Sequence, residues 1–474
     1  MKTSSRRLIV VLSVISAVST PVLAQQNPSP GWERKVQGPT NFWSLSGNAG
    51  TSPGAHFLGT TDNAALEVKV NAQRALRLEP QERGNINILG GSSLNYLAPG
   101  VEGSVIAGGG GILLCDRYDL EDEVDCDHVL SAPYPNQMYG NFSTLAGGAG
   151  NRIEGSFNFI GTGRNNTIQS APLVDSRSSA ILTGFANSMS NTFYSSILGG
   201  GKNRMGGYAG VSHSVIAGGQ YNHMPYGNNS IIVGGYGNYL LGQASTIGGG
   251  GGNSVEENNN TISGGGLNTI GNGNYATIPG GYLNVCRGSY SFVAGVMGTA
   301  FHNGTFLWSD ASEVGLSDRR FTSERHNEFA VRATGGVRFV TDRNNATGVT
   351  LSEGGGSWAS LSDRNAKENF EPVNPREVLK KVAELPLQTW NYKSQKPAVR
   401  HLGPTSQDFS AAFGIGDDPR HITNVDADGV SLAAIQGLNQ ILAEKDTEIQ
   451  QLKKSVATLE EQLSNIAAKI AASR

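Results

Sequence analysis

Ser362-Asp363-Arg364-Asn365-Ala366-Lys367 sets a hydroxyl and an amine five residues apart. A serine needs a base before it can attack a peptide carbonyl near neutral pH. A lysine can be that base where burial leaves it uncharged. So short a pattern also arises by chance, and Ser362-Asp363 could simply cap a helix. Position gives the pair weight, because it lies at the domain boundary, after the glycine spacer Ser352-Glu-Gly-Gly-Gly-Ser357. Elsewhere, Cys115 and Cys126 lie in an acidic insertion, 115–127, and read as a local disulfide. Its carboxylates fit no EF-hand, with no glycine at the turn, so the insertion reads as a solvated loop. Cys286 is left over, either buried or paired between chains. No cofactor and no metal are expected.

These residues sit in two kinds of chain. Of the 64 glycines, 59 precede Ser362. The last 113 residues carry only five, with 14 Lys+Arg and 15 Asp+Glu. The first 361 carry 22 Lys+Arg and 24 Asp+Glu. The glycines follow no three-residue period, which excludes collagen. The net charge of −3 leaves no basic surplus to hold a nucleic-acid backbone.

The Gly-rich part repeats one phrase: Ser or Asn, two or three apolar or Thr residues, then Gly-Gly. Ser196-Ile-Leu-Gly-Gly, Ser214-Val-Ile-Ala-Gly-Gly, Ser230-Ile-Ile-Val-Gly-Gly and Ser245-Thr-Ile-Gly-Gly are successive copies. Asn203, Asn222, Asn238, Asn253, Asn268 and Asn284 each follow a glycine pair, as does Asn151. A period of mostly 15 to 18 residues holds one or two short strands and their turns. Such a coil buries its apolar residues only by stacking on others. The pattern predicts a β-solenoid or β-roll: Ile and Val inside, glycines in left-handed turns, asparagines in left-handed turns and stacked amides. The thin core argues that several chains pack together.

Leu66–Val70 and Ala75–Leu78 alternate apolar and polar around Asn71-Ala72-Gln73, a hairpin pattern. Phe329–Arg332 and Val337–Val340 around Thr334-Gly335-Gly336 read as a second hairpin. Val378, Leu379, Val382 and Leu385 support a short amphipathic helix. Ile435, Leu438, Leu442, Ile449, Leu452, Val456, Leu459, Leu463, Ile466 and Ile470 step by threes and fours, broken at Lys445. That is a heptad seam, hence a self-associating coiled coil of unspecified strand number. At the other end, Lys2, Arg6 and Arg7 precede an apolar run, Leu8–Val18, and then Pro21-Val-Leu-Ala24. This is a secretory signal, too short to span a bilayer. No other segment is long and apolar enough to cross, so a secreted or cell-surface location is expected.

The repeats resemble the heads of trimeric autotransporter adhesins and related phage-fibre segments. The C-terminal part resembles the self-cleaving intramolecular chaperone that ends phage tail spikes and endosialidases. That likeness rests on Ser362-Asp363 with Lys367, on Trp390-Asn391-Tyr392, on His401-Leu402-Gly403 and on Gln407-Asp408. It implies a homotrimer and a domain that assists folding and then cuts itself off at Leu361–Ser362. It also implies Ser362 as nucleophile, Lys367 as general base, and His401 and Gly403 as residues needed for cleavage. Asn365 and Ala366 depart from the family, which more often has a basic and a larger apolar residue there. Attack on the preceding carbonyl would proceed by an N-to-O acyl shift; attack on another chain's bond is the alternative.

The organisation expected is a signal peptide, 1–24; a collar with a hairpin, 25–84; and solenoid repeats, 85–300. A β stem and linker, 301–361, then leads to the autopeptidase domain, 362–474, with its coiled coil at 432–471. The fold is mainly β with a small α+β C-terminal domain. The leading function is an exported trimeric fibre or adhesin, with itself as partner and with surface glycans or a host surface as candidate ligands. Tyr208, Tyr221, Tyr226, Tyr236, Tyr239 and Tyr282 are candidate glycan contacts. The alternatives are a polysaccharide-degrading enzyme, or a surface-binding solenoid with a retained, uncut trimerisation domain. Glycoside hydrolysis usually needs two carboxylates, and residues 140–300 offer only Glu154, Asp175, Glu256 and Glu257. A surface-binding threonine row would need to be long, and Thr246, Thr261 and Thr277 are its only aligned members.

Overall fold

The computed structural model describes residues 43–113, 132–170, 176–312, 314 and 319–473. The expected signal peptide and the Cys115–Cys126 bridge lie outside the described residues. Two long sheets form the solenoid, one of 16 strands and one of 13, and consecutive strands alternate between them. Each coil gives one short strand to each sheet. Ile231–Ile232 pairs in parallel with Thr246–Ile247 on the first sheet. Tyr239–Leu240 pairs with Ser254–Val255 on the second.

Alternation along each strand sends one residue inward. On the first sheet these include Ile216, Ile232, Ile247, Ile262 and Ile278; on the second, Met224, Leu240, Val255, Ile270 and Cys286. All ten are fully buried. The interior is therefore closed within one chain, and the thin core by itself calls for no second chain.

A column of amides runs beside this core. Each asparagine accepts, through Oδ1, the backbone N–H of the asparagine one coil on: Asn203 to Asn222, Asn222 to Asn238, Asn238 to Asn253. The column begins earlier than the repeat phrase suggests, at Asn95 and Asn136. A parallel column of Ser and Asn side chains follows the other edge, as in Ser214 to Ser230 to Ser245 to Asn260. The glycines are needed where coils touch. Gly235 has φ +88°, and a Cβ there would lie 2.1 Å from the Gly250 carbonyl oxygen. The expected left-handed role of the asparagines is corrected: the residue before each one bends the chain. Lys202, Tyr221, Leu267 and Leu283 hold φ between 54° and 56°.

The outer faces of the sheets differ. Outward positions of the first sheet, from Val105 to Val331, include Leu182, Leu198, Val215, Ile231 and Val233 and no charged residue. Phe292, Phe306 and Phe329 stack on its last rungs, with centroids 4.9 and 4.7 Å apart. Arg152, Glu154, Arg204, His223, Glu256 and Arg287 lie on the outer face of the second sheet.

The first predicted hairpin is present, with Asn71 and Ala72 both at positive φ in its two-residue turn. The second is not. Phe329–Arg332 pairs in parallel with Phe306–Ser309 as the last rung of the first sheet. Val337–Val340 instead pairs antiparallel with Gly348–Leu351, which pairs with Ala359–Ser360. Asp310 explains the difference. Its carboxylate takes the amide and hydroxyl of Thr334, at 2.6 and 2.7 Å, which ties the Thr334 turn back to the preceding rung. Helices α1 (Pro375–Glu384), α2 (Ser406–Phe413) and α3 (Asn424–Ala472) complete the chain. Among the described residues, no helix is long and apolar enough to cross a membrane.

Candidate functional site

The site begins where the three-stranded sheet ends. After Ala359–Ser360, the Leu361 N–H donates to the Gly348 carbonyl at 3.2 Å. Ser362 follows, and Asp363 caps a single 3-10 turn, Arg364–Ala366. Asp363 Oδ1 accepts from the Asn365 amide at 2.9 Å and from Asn365 Nδ2 at 3.2 Å. The Lys367 amide closes the turn on the Arg364 carbonyl at 3.2 Å. An extended chain would carry Lys367 about 17 Å from Ser362. The turn folds it back, and Lys367 Nζ donates to Ser362 Oγ at 2.6 Å. The capping and chemical readings of Ser362-Asp363 are therefore compatible: Asp363 caps, and Ser362 meets the lysine. Asn365, a departure from the expected pattern, contributes its side-chain amide to the cap.

His401 and Gly403 lie on another element. The strand His401–Gly403 pairs with Gln388–Trp390. The His401 ring packs against Trp390 and Tyr392, with centroids 4.8 and 5.7 Å away, and its Nε2 lies 2.9 Å from Gln395 Oε1. Among the described residues, no hydrogen bond joins either residue to Ser362 or Lys367. Asp408 serves the start of α2, its carboxylate accepting the Thr405 hydroxyl at 2.7 Å. Helix α1 lies on α3 at Gly437, where a Cβ would come within 2.3 Å of the Pro375 carbonyl oxygen. An Arg376–Glu444 ion pair closes the same contact.

Residues 362–414 match the Peptidase_S74 family model, chaperone of endosialidase. The chain carries a chaperone-of-endosialidase domain near its C-terminus, behind a β-solenoid. This family implies a serine-peptidase-like chaperone that cleaves itself. No curated protein matches the chain.

The other candidate residues do not gather into a site. Glu154 is paired with Arg152 at 2.6 Å. Glu256 lies six rungs from it on the second sheet, about 29 Å away at the usual strand spacing. Glycosidase carboxylates stand about 5–9.5 Å apart. Within one chain that leaves only the adjacent Glu257 beside Glu256; Asp175 lies outside the described residues. Tyr221 and Tyr236 meet edge-on, with ring centroids 5.3 Å apart, but Tyr282 lies three rungs further along, past Gly251 and Gly266, and Tyr239 lies on the second sheet. Thr246, Thr261 and Thr277 align as expected and stop at Ile231 and Phe292. Cys286 is sealed in the core, where burial pushes its thiol up to about 12, so it is an inert core residue.

Proposed function

We propose that this is an exported, tail-fibre-like surface protein that assembles as a trimer and frees its solenoid by cutting Leu361–Ser362. The 2.6 Å contact between Lys367 Nζ and Ser362 Oγ, at the joint between stem and chaperone domain, carries the reading. In the cut, Lys367 in its uncharged form takes the Ser362 hydroxyl proton as Oγ attacks the Leu361 carbonyl carbon. The Leu361–Ser362 C–N bond breaks, the proton passes to the Ser362 nitrogen, and an ester remains. Water opens the ester, leaving a Leu361 carboxylate and restoring the Ser362 hydroxyl. One water is consumed and one peptide bond lost. Attack on a neighbouring chain's bond follows the same balance. Both side chains are exposed in the single chain. The exclusion of water that makes a lysine a base must then come from the assembled protein covering this corner.

Two surfaces support assembly with further copies of the chain. The heptad positions of α3, Leu438, Leu442, Ile449, Leu452, Val456 and Leu459 among them, are all exposed. A helix with so long an unpartnered apolar stripe buries it by association. The charge-free face of the first sheet is a second such surface. The number three comes from the family resemblance. The leader-like 1–24 segment supports export.

Intact mass of the mature chain and of Ser362→Ala tests the proposal. Two fragments meeting at Leu361–Ser362 in the first, and one uncut chain in the second, are expected. Assemblies that stay uncut in both would favour a retained trimerisation domain.

A further inference from the structure

The two halves of the proposed scissile bond are held by different folding units with no slack between them. On the amine side, Asp363, the second residue past the bond, caps the turn that carries Lys367. On the acyl side, Leu361 itself makes the last backbone bond of the stem sheet, to Gly348. Peptides are commonly held by addition as a strand to a sheet edge, through main-chain hydrogen bonds. Here the chain's own stem offers that edge to the chain's own cleavage segment.

The geometry points to the stem edge, Gly348–Leu351, as the clamp that positions the Leu361 carbonyl for Ser362, so that cleavage waits on stem folding. This inference rests on the self-cleavage reading. The register identifies the clamping groups. Leu361 opposite Gly348 is a hydrogen-bonded pair, and Thr350↔Ala359 lies two residues along. Antiparallel pairs alternate, so Thr350 and Ala359 are bonded as well, and Val349↔Ser360 is the close, non-bonded pair. The bonds of Thr350 therefore face the cleavage segment, whereas Val349 faces the strand Val337–Val340.

Packing supports the same edge. Trp358, just before the edge strand, lies against Phe339 on the far strand, with centroids 5.5 Å apart. Asp342 accepts the amides of Asn344, Ala346 and Thr347 at 3.0, 2.7 and 3.0 Å, fixing the loop that delivers Gly348. Gly348 has φ +148°, and a Cβ there would lie 2.1 Å from the Phe339 carbonyl oxygen. The edge strand, Ala359–Ser360, is only two residues long. So short a strand pairs only when the sheet beside it is complete. The cut thus becomes a report on the finished stem.

The test uses the full mature chain and the first-order rate of fragment appearance. Thr350→Pro removes the donor facing Ala359 and spares the bonds to Val337–Val340. Misplacing a reacting group by about 1 Å costs about 100-fold, and a slowing of that order is expected. Adding Val349→Cys with Ser360→Cys to that variant allows the edge to be refastened through the close pair. Air oxidation should then restore cleavage to within a few-fold of the unaltered rate, and reduction should remove it again. A Thr350→Pro chain cut at the unaltered rate, or a slowed chain that the disulfide does not rescue, overturns the clamp alone. An unaltered chain that never cuts overturns the self-cleavage reading and the clamp with it.

Discussion

Asn222 gives the sharpest test of how the solenoid holds together. It is fully buried in mid-column. Its Nδ2 donates to the Gly218 and Gly235 carbonyls, each at 3.0 Å, and to Asn203 Oδ1 at 3.1 Å. Its Oδ1 accepts the Asn238 amide and Asn238 Nδ2, both at 3.1 Å. In Asn222→Ala the Gly235 carbonyl keeps the Gln220 amide, at 2.9 Å. The buried Asn238 amide loses its acceptor. One orphaned buried N–H costs about 1–3 kcal/mol and each lost bond about 1 kcal/mol, so the loss is at least about 3 kcal/mol. Asn222→Asp separates the two sides of the amide. It keeps the acceptor for Asn238 but turns a carboxylate toward three oxygens, and an unpaired buried charge costs more than a missing group. Hydrogen exchange on the full chain, with Ser362→Ala to fix its length, reads the effect locally. Protection around Asn238 should fall by at least about 100-fold in the Ala variant. It should fall further in the Asp variant at neutral pH, and recover partly as acid protonates that carboxylate. Protection within a few-fold of the unaltered chain in both variants would refute the column as a stabilising device. Equal loss in both would refute the donor argument.

Two further outcomes follow from the same structure. Burial alone would raise the Asp310 carboxyl, but hydrogen bonds from the Ser312 and Thr334 hydroxyls and amides outweigh it and hold it well below its ordinary value. A carboxylate depressed on folding adds stability that is present above its unfolded pKa of about 3.8 and is lost as pH falls through the folded one. Denaturant midpoints should therefore separate the unaltered chain from Asp310→Asn at pH 7 and converge progressively below about pH 4; a pH-independent gap would contradict this. On the first-sheet face, Val233→Glu should weaken assembly, because an unpaired charge buried in an interface costs about 3–5 kcal/mol. Gln169→Glu, on the charged second sheet, should not, and sedimentation of both variants would show it.

The fold was legible where the sequence repeats itself. Gly-Gly followed by Asn marks a rung because the glycine passes beneath the next coil and the asparagine pins it. The same rule explains the omissions. Asn166 and Asn187 keep ordinary steps of 15 residues from Asn151 and 16 to Asn203, but Thr162-Gly163 and Thr183-Gly184 stand where other rungs have Gly-Gly, which hides them from a search for that pair. The false hairpin at Phe329–Val340 was a tertiary override: alternation and a Gly-Gly turn were present, but Asp310 and the open rung at Phe306–Ser309 captured the first strand. Ser362 and Lys367 could be named from spacing. Their contact depends on the Asp363 cap, whose geometry no spacing records. His401 and Gly403 were named by likeness alone, and their ribbon lies apart from the Ser–Lys contact in hydrogen bonding.

Solenoid contacts join residues one coil apart, so stacking rungs is not itself a long-range search. In the proposed assembly, the harder problem is lateral. First-sheet faces with similar rungs, such as those at Thr246, Thr261 and Thr277, would pair almost as well one coil out of register. The C-terminal end is distinctive, because Phe292, Phe306 and Phe329 stack there on successive rungs beside the stem. A seam on α3 that gathers the chains at that same end would level the aromatic rungs first and let matched rungs follow toward the N-terminus. A clamp that delays the cut until the stem is complete would keep the chains gathered for as long as their register can still slip. Cutting afterwards would remove the device only once the aromatic rungs hold the register in its place.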